Sequence, residues 1–142
     1  MRKTIFRIAS FSAMTAVALG AFGAHGLKSL VEPEQLDTFQ IGVRYQFYHS
    51  FALLAIAVLL HIRKTSLLVY AAWFFTAGIV LFSGSLYLLA IRFWAGFEGA
   101  WLGPITPVGG LMFIIGWILL FSSTFQDNTL RNGNGNGHAV KH

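Results

Sequence analysis

The 142-residue chain contains no cysteine. Disulfides, thiolate nucleophiles, iron–sulfur clusters and cysteine-based zinc sites are therefore excluded. Charge is nearly as scarce, at 11% of residues, where a soluble domain needs about 25% to cover its surface. Only five residues are acidic, and none lies deep within an apolar run. That weighs against an ion-coupled transporter, which places ionisable groups near the membrane midplane. The P-loop, the Gly-x-Ser-x-Gly elbow and HExxH are also absent, so no enzymatic activity is expected.

Hydrophobic residues, in contrast, make up 56% of the chain, and the mean hydropathy is +0.65. Four apolar segments stand out, at about residues 5–24, 43–62, 67–91 and 105–125. The second reaches spanning length only if it extends back from Tyr48 through Phe47 and Val43. Each matches the roughly 20 residues a helix needs to cross about 30 Å of hydrocarbon. Backbone groups in lipid must bond within their own segment, so helices are expected. The fold class is thus an all-α membrane protein, a single domain over residues 1–125 forming a four-transmembrane-helix bundle. Residues 126–142, ending NGNGNGHAVKH, are expected to be a disordered tail.

The net charge of +5 is not gathered into a patch that would suit nucleic acid. Arg2, Lys3, Arg7, Arg63, Lys64, Arg131 and Lys141 fall on one side of a four-span topology. Lys28, Arg44 and Arg92 share the other side with Glu32, Glu34, Asp37 and Glu98. The positive-inside rule then predicts that both termini, tail included, are cytoplasmic. In the first outer loop, Pro33 and Glu34 suit a helix start. Leu36, Phe39, Val43 and Phe47 recur near helical spacing opposite Asp37, Gln40 and Arg44. An extra amphipathic helix is expected there, feeding the second span, with Gly42 as a bend. Phe93, Trp94, Phe97 and Trp101 in the third loop suit a bilayer surface.

The first segment also has features of a secretory signal, with Ala21 and Gly23 at acceptable −3 and −1 positions for cleavage before Ala24. Its apolar run is longer than the 7–15 residues of a signal core. Ala9, Ala13, Ala16, Gly20 and Ala24 fall three or four apart, giving one small-residue helix face suited to close packing. A retained span is expected. Ser83, Gly84 and Ser85 read as a second packing site, each hydroxyl bonding a carbonyl one turn back. Gly109 and Gly110, after Pro107, read as a third.

His25 closes the first expected span and His49 opens the second, on the same outer face, with Tyr45 one turn before His49. His25, Tyr45, Gln46, His49, Arg92 and Glu98 form the expected outer-face polar cluster. Glu98 paired with either histidine would take up a proton or cation; the plainer reading leaves it solvated, with Arg92 reaching the headgroups. No cofactor or metal is expected, and haem or metal held by His25 and His49 is the alternative. His61 lies at the opposite face, about 18 Å further along a helix.

The blocks GAFGAHGL, YQFYHSFALL, AGIVLFSGSLYLL and LGPITPVGGLMFIIGW, in this order, resemble the YgdD/YwdK-like small integral-membrane family. This is domain of unknown function 423, which has an animal transmembrane counterpart. The resemblance covers residues 5–125 apart from the stretch between Lys28 and Phe39. It implies a four-helix bundle in the bacterial inner membrane with the first helix retained, and it implies no reaction. The family pattern includes positions matching His25, Tyr45, Gln46, His49, Ser83, Gly84, Ser85, Pro107, Gly109 and Gly110. The expected function is that of an accessory, assembly or structural membrane component, with a membrane-protein partner or a second copy of itself. One alternative is a small-molecule or lipid-binding protein or channel, with an outer-face cavity near His25, Tyr45 and His49. Another is a redox carrier using both histidines.

Overall fold

The computed structural model describes residues 1–126; the tail expected to be disordered lies outside the described residues, apart from Gln126. Five α-helices carry the fold: α1 (Arg2–His25), α2 (Pro33–Ile62), α3 (Ser66–Gly78), α4 (Gly84–Ala95) and α5 (Ile105–Ser123). A π-helical turn, Ile79–Ser83, joins α3 to α4, so that Ser66–Ala95 is one 30-residue helical unit. The four resulting rods are each long and apolar enough to cross a membrane, and there is no strand among the described residues.

The ends of the helices follow from local chemistry. Glu32 caps α2 in a reciprocal box with Gln35, whose Oε1 accepts from the Glu32 N–H at 3.3 Å. Pro33 takes the first position, where its missing N–H costs nothing. Thr65 Oγ1 accepts from the Leu67 N–H at the start of α3. Gly96, at φ 71°, ends α4 in the left-handed conformation that glycine alone adopts freely.

The amphipathic segment expected before the second span is the first part of the same continuous helix, α2. Gly42 lies inside it, at a contact surface. A Cβ there would lie 2.8 Å from the Tyr87 ring.

α1 and α2 run antiparallel. Arg2 contacts His61 at one end, Ser12 bonds Ser50 midway, and Gly23 meets Phe39 towards the other. The buried stripe of α1 is Ile5, Ala9, Ser12, Ala16 and Gly23, the phase that 3.6 residues per turn demands. Ala16 lies in this seam, and Gly20 lies beside it against Val43. Ala24 is exposed, one residue out of phase, and Gly23 takes its place.

α5 packs against α3 and the π-turn by glycine-to-aromatic contacts. A Cβ on Gly78 would stand 2.4 Å from the Phe113 ring, and one on Gly116 would stand 2.6 Å from Phe75. At Gly109 the obstacle would be backbone, with Phe82 N at 2.3 Å. Gly84 meets nothing within 4 Å and Gly110 has only ordinary contact with Phe82. The close approach expected at Gly84 therefore occurs at Gly78, and Gly109 rather than Gly110 makes the seam on α5. The largest core cluster joins Ile5, Ala9, Leu53, Ile56, Ala72, Phe75 and Phe113. A smaller one, Leu27, Phe39 and Ala90, closes the end that carries the first and third loops.

Candidate functional site

Inside the bundle, one amide ties three rods together. The Gln46 side-chain amide donates to Ser12 O at 2.9 Å and to Thr15 Oγ1 at 2.8 Å. Its carbonyl oxygen accepts from the Tyr87 hydroxyl at 2.7 Å. Ser50 Oγ lies 2.8 Å from Ser12 Oγ and 2.7 Å from Gln46 O. Both amide hydrogens and the oxygen of Gln46 are used, as a polar group deep among apolar helices requires. Ser85 Oγ bonds Phe82 O at 2.9 Å and Thr106 Oγ1 at 2.7 Å, joining the third rod to the fourth. Ser83 breaks the expectation for this pair, since its buried hydroxyl has no partner among the described residues.

One helical turn beyond Gln46 begins an aromatic cluster. The His49 ring stacks on Phe113, with centroids 3.5 Å apart and planes 7° off parallel. Its Nδ1 lies 2.8 Å from Tyr45 O, and its Nε2 accepts from the Trp117 indole N–H at 3.2 Å. A carbonyl needs a donor and an indole can only donate, so the two bonds together select the neutral, Nδ1-protonated imidazole. Tyr45 and Phe82 flank Phe113. These rings line a groove of about 570 Å³ between α2 and α5 with Pro107, Gly110, Leu111 and Ile114. From Pro107 to Trp117 the groove runs about 15 Å along α5. Tyr45 is 41% exposed, and its hydroxyl makes no hydrogen bond among the described residues.

The expected outer-face cluster is not brought together. His49 lies within α2, about 20 Å from its Ile62 end and about 24 Å from its Pro33 end. His25 is exposed at the end of α1, where its Nδ1 bonds Ala21 O at 3.1 Å. Ser50, beside His49, meets Ser12, which is about 20 Å along α1 from His25. The cause is the length of α2. The polar Asp37, Gln40 and Arg44 belong to the same rod as the span, so His49 is a mid-helix residue. The separation removes the histidine pair on which haem or metal ligation was to rest. It also leaves Tyr45 and His49, without His25, beside a cavity. Gln46 points to the interior network, away from that groove. Arg92 and Glu98 share a separate surface cavity of about 440 Å³ with Phe93 and Phe97; the Arg92 guanidinium lies 4.4 Å from the centre of the Phe93 ring.

Comparison with known proteins identifies the chain's relatives. A family model described as "Protein of unknown function (DUF423)" matches residues 19–110. UPF0382 membrane protein YwdK of Bacillus subtilis is 40% identical over 119 residues, covering 83% of this chain and 93% of that protein. A UPF0382 membrane protein of Haemophilus influenzae is 40% identical over 131 residues, covering 92% and 100%. One from Staphylococcus aureus reaches 43% over 125 residues, covering 87% and 97%. The chain belongs to the DUF423 family. It is a membrane protein of a family without an assigned activity. No solved structure matches it.

The DUF423 match contains Tyr45, Gln46, His49, Phe82 and Tyr87, residues of both the network and the groove. Ser12, Thr15, Leu111, Phe113, Ile114 and Trp117 complete the two from outside it. Sequence reasoning missed Ser12, Thr15, Ser50, Tyr87 and Trp117. Signals existed, because Ser12 with Thr15 and Gln46 with Ser50 are spaced to share a helix face. Trp117 also sits well inside its span rather than at a headgroup level.

Proposed function

We propose that this DUF423 protein is a non-enzymatic accessory component of the bacterial inner membrane that holds a transmembrane helix of a partner protein. The observation that carries this reading is the contrast between interior and surface. Gln46, Ser12, Thr15, Ser50 and Tyr87 spend their hydrogen bonds on one another, and both His49 nitrogens are engaged. The groove between α2 and α5 opens sideways and is lined almost wholly by apolar and aromatic groups. Gly110 has only ordinary contacts, and a small residue at such a seam admits a neighbouring helix. Basic residues at the Arg2, Arg63 and Lys64 end favour cytoplasmic termini by the positive-inside rule.

The test is site-specific photo-crosslinking in membranes, with benzoylphenylalanine at Leu111 on the groove or at Val17 on the far surface of α1. Recurrent crosslinks to one transmembrane segment from Leu111, absent from Val17, are expected. Lipid adducts alone from both positions would sink the proposal. Reporter fusions at both termini check the orientation.

A second reading has its own observation. Tyr45 lines the groove and its hydroxyl has no hydrogen-bond partner among the described residues, so a lipid-soluble small molecule with a hydrogen-bonding head would satisfy it. Such a ligand would appear as an added mass on the native protein, and Gly110→Leu would abolish it.

A further inference from the structure

We infer that the basic end of the bundle binds an anionic phospholipid in a cleft between α1 and α2. The antiparallel pairing of these helices sets the start of α1 beside the end of α2, where Arg2 contacts His61. Arg2, Lys3, Phe6, Arg7, Ala57, Val58 and His61 line an open cleft of about 440 Å³ there.

Its charge is layered. Arg2, Lys3 and His61 lie nearest the helix ends, while Phe6, Ala57 and Val58 lie one turn deeper along the same two helices. Lys3 and Arg7 are one turn apart on one face, so the longer reach of Arg7 adds a third cation from below. A cleft with cations at its mouth and hydrocarbon walls beneath matches a phosphodiester head above an acyl chain.

Basic residues at a span end ordinarily splay into the headgroups and set topology. Here they converge on a concavity, and among the described residues no acid lies at this end. The four acids among the described residues, Glu32, Glu34, Asp37 and Glu98, belong to the other end of the bundle. The contact between Arg2 and His61 joins a cation to a ring nitrogen and supplies no negative charge. α1 also begins without a side-chain cap, so its first-turn N–H groups add positive potential at the same mouth. Basic pockets between transmembrane helices recognise anionic head groups through this combination.

The test uses full-length protein in micelles holding equal phosphatidylglycerol and phosphatidylcholine, read by native mass spectrometry. The expected result is one retained phosphatidylglycerol per chain, favoured over phosphatidylcholine by at least about tenfold, since each basic side chain near an anionic head contributes roughly fivefold. Lys3→Gln should cut that preference about fivefold. Val58→Phe, which fills the cleft from an exposed position without altering charge, should abolish the retained lipid. Lys64→Gln removes one charge from the same end outside the cleft and should leave binding intact. Equal retention of the two lipids would overturn the proposal. So would an equal loss in Lys64→Gln and Lys3→Gln, which would mean diffuse attraction. Displacement of the lipid by millimolar inorganic phosphate would overturn it too, assigning the cleft to a free anion.

Discussion

The Trp117 indole donates its hydrogen to His49 Nε2 across 3.2 Å, locking the second rod to the fourth inside the apolar part of the bundle. His49 is 5% exposed, and Phe113 covers one face of its ring. The bond therefore works where water does not compete, although the unfolded chain in a membrane also finds partners, which keeps the net value modest.

Trp117→Phe should leave the Nε2 lone pair without a donor and lower stability by about 1 kcal/mol. A double-mutant cycle with His49→Phe should return a coupling energy of roughly 0.5–1.5 kcal/mol. Reversible unfolding in mixed micelles measures both. Additive single mutants would show that the stacking on Phe113, and not this bond, holds the ring.

Gln46 is the hub of the interior, so its loss should exceed that of any one spoke. Gln46→Leu keeps much of the volume but strands the Tyr87 hydroxyl and removes both bonds to α1. A loss of about 2 kcal/mol is expected, against about 1 kcal/mol for Tyr87→Phe, which removes a single bond. The same unfolding assay ranks the two variants, and an equal cost would mean that the α1 contacts contribute nothing.

The spans were legible because lipid imposes a length that sequence must meet, and the start of α2 at Pro33 and Glu34 was legible from capping chemistry. Depth and rotation were not. Asp37, Gln40 and Arg44 lower the hydropathy of the first part of α2, so the apolar window begins near Val43 and places His49 at a span edge. One uninterrupted helix moves it to mid-rod. The inward face of an apolar helix also carries little contrast with its lipid face, so Ala24 and Gly23 were equally plausible from spacing alone. The buried polar residues mark the true interior, and pairing Gln46 with Ser12 requires knowing how the two rods are rotated.

Two glycines separate close packing from mere composition. A methyl group at Gly109 would strike the Phe82 backbone, with N at 2.3 Å and Cα at 2.7 Å, so α5 must move away from the π-turn. Gly109→Ala should destabilise by about 2 kcal/mol, as overpacking against backbone does. Gly84→Ala meets open space and should be neutral or stabilising by up to about 1 kcal/mol, from helix propensity. Cysteine crosslinking between Ile79 and Met112 positions should weaken in Gly109→Ala alone.

Ser83 supplies the reverse case, a polar group whose removal should help. It is fully buried, yet its hydroxyl has no partner among the described residues. The π-turn contributes to this, because Gly84 N–H reaches Ile79 O five residues back and the local carbonyl pattern is shifted from that of an α-helix. Ser85, two residues on, bonds both Phe82 O and Thr106 Oγ1. Ser83→Ala should therefore raise stability by about 1 kcal/mol, while Ser85→Ala should lower it by a similar amount. If both substitutions destabilise equally in the unfolding assay, Ser83 has a hydrogen-bond partner in the membrane and its burial carries no such cost.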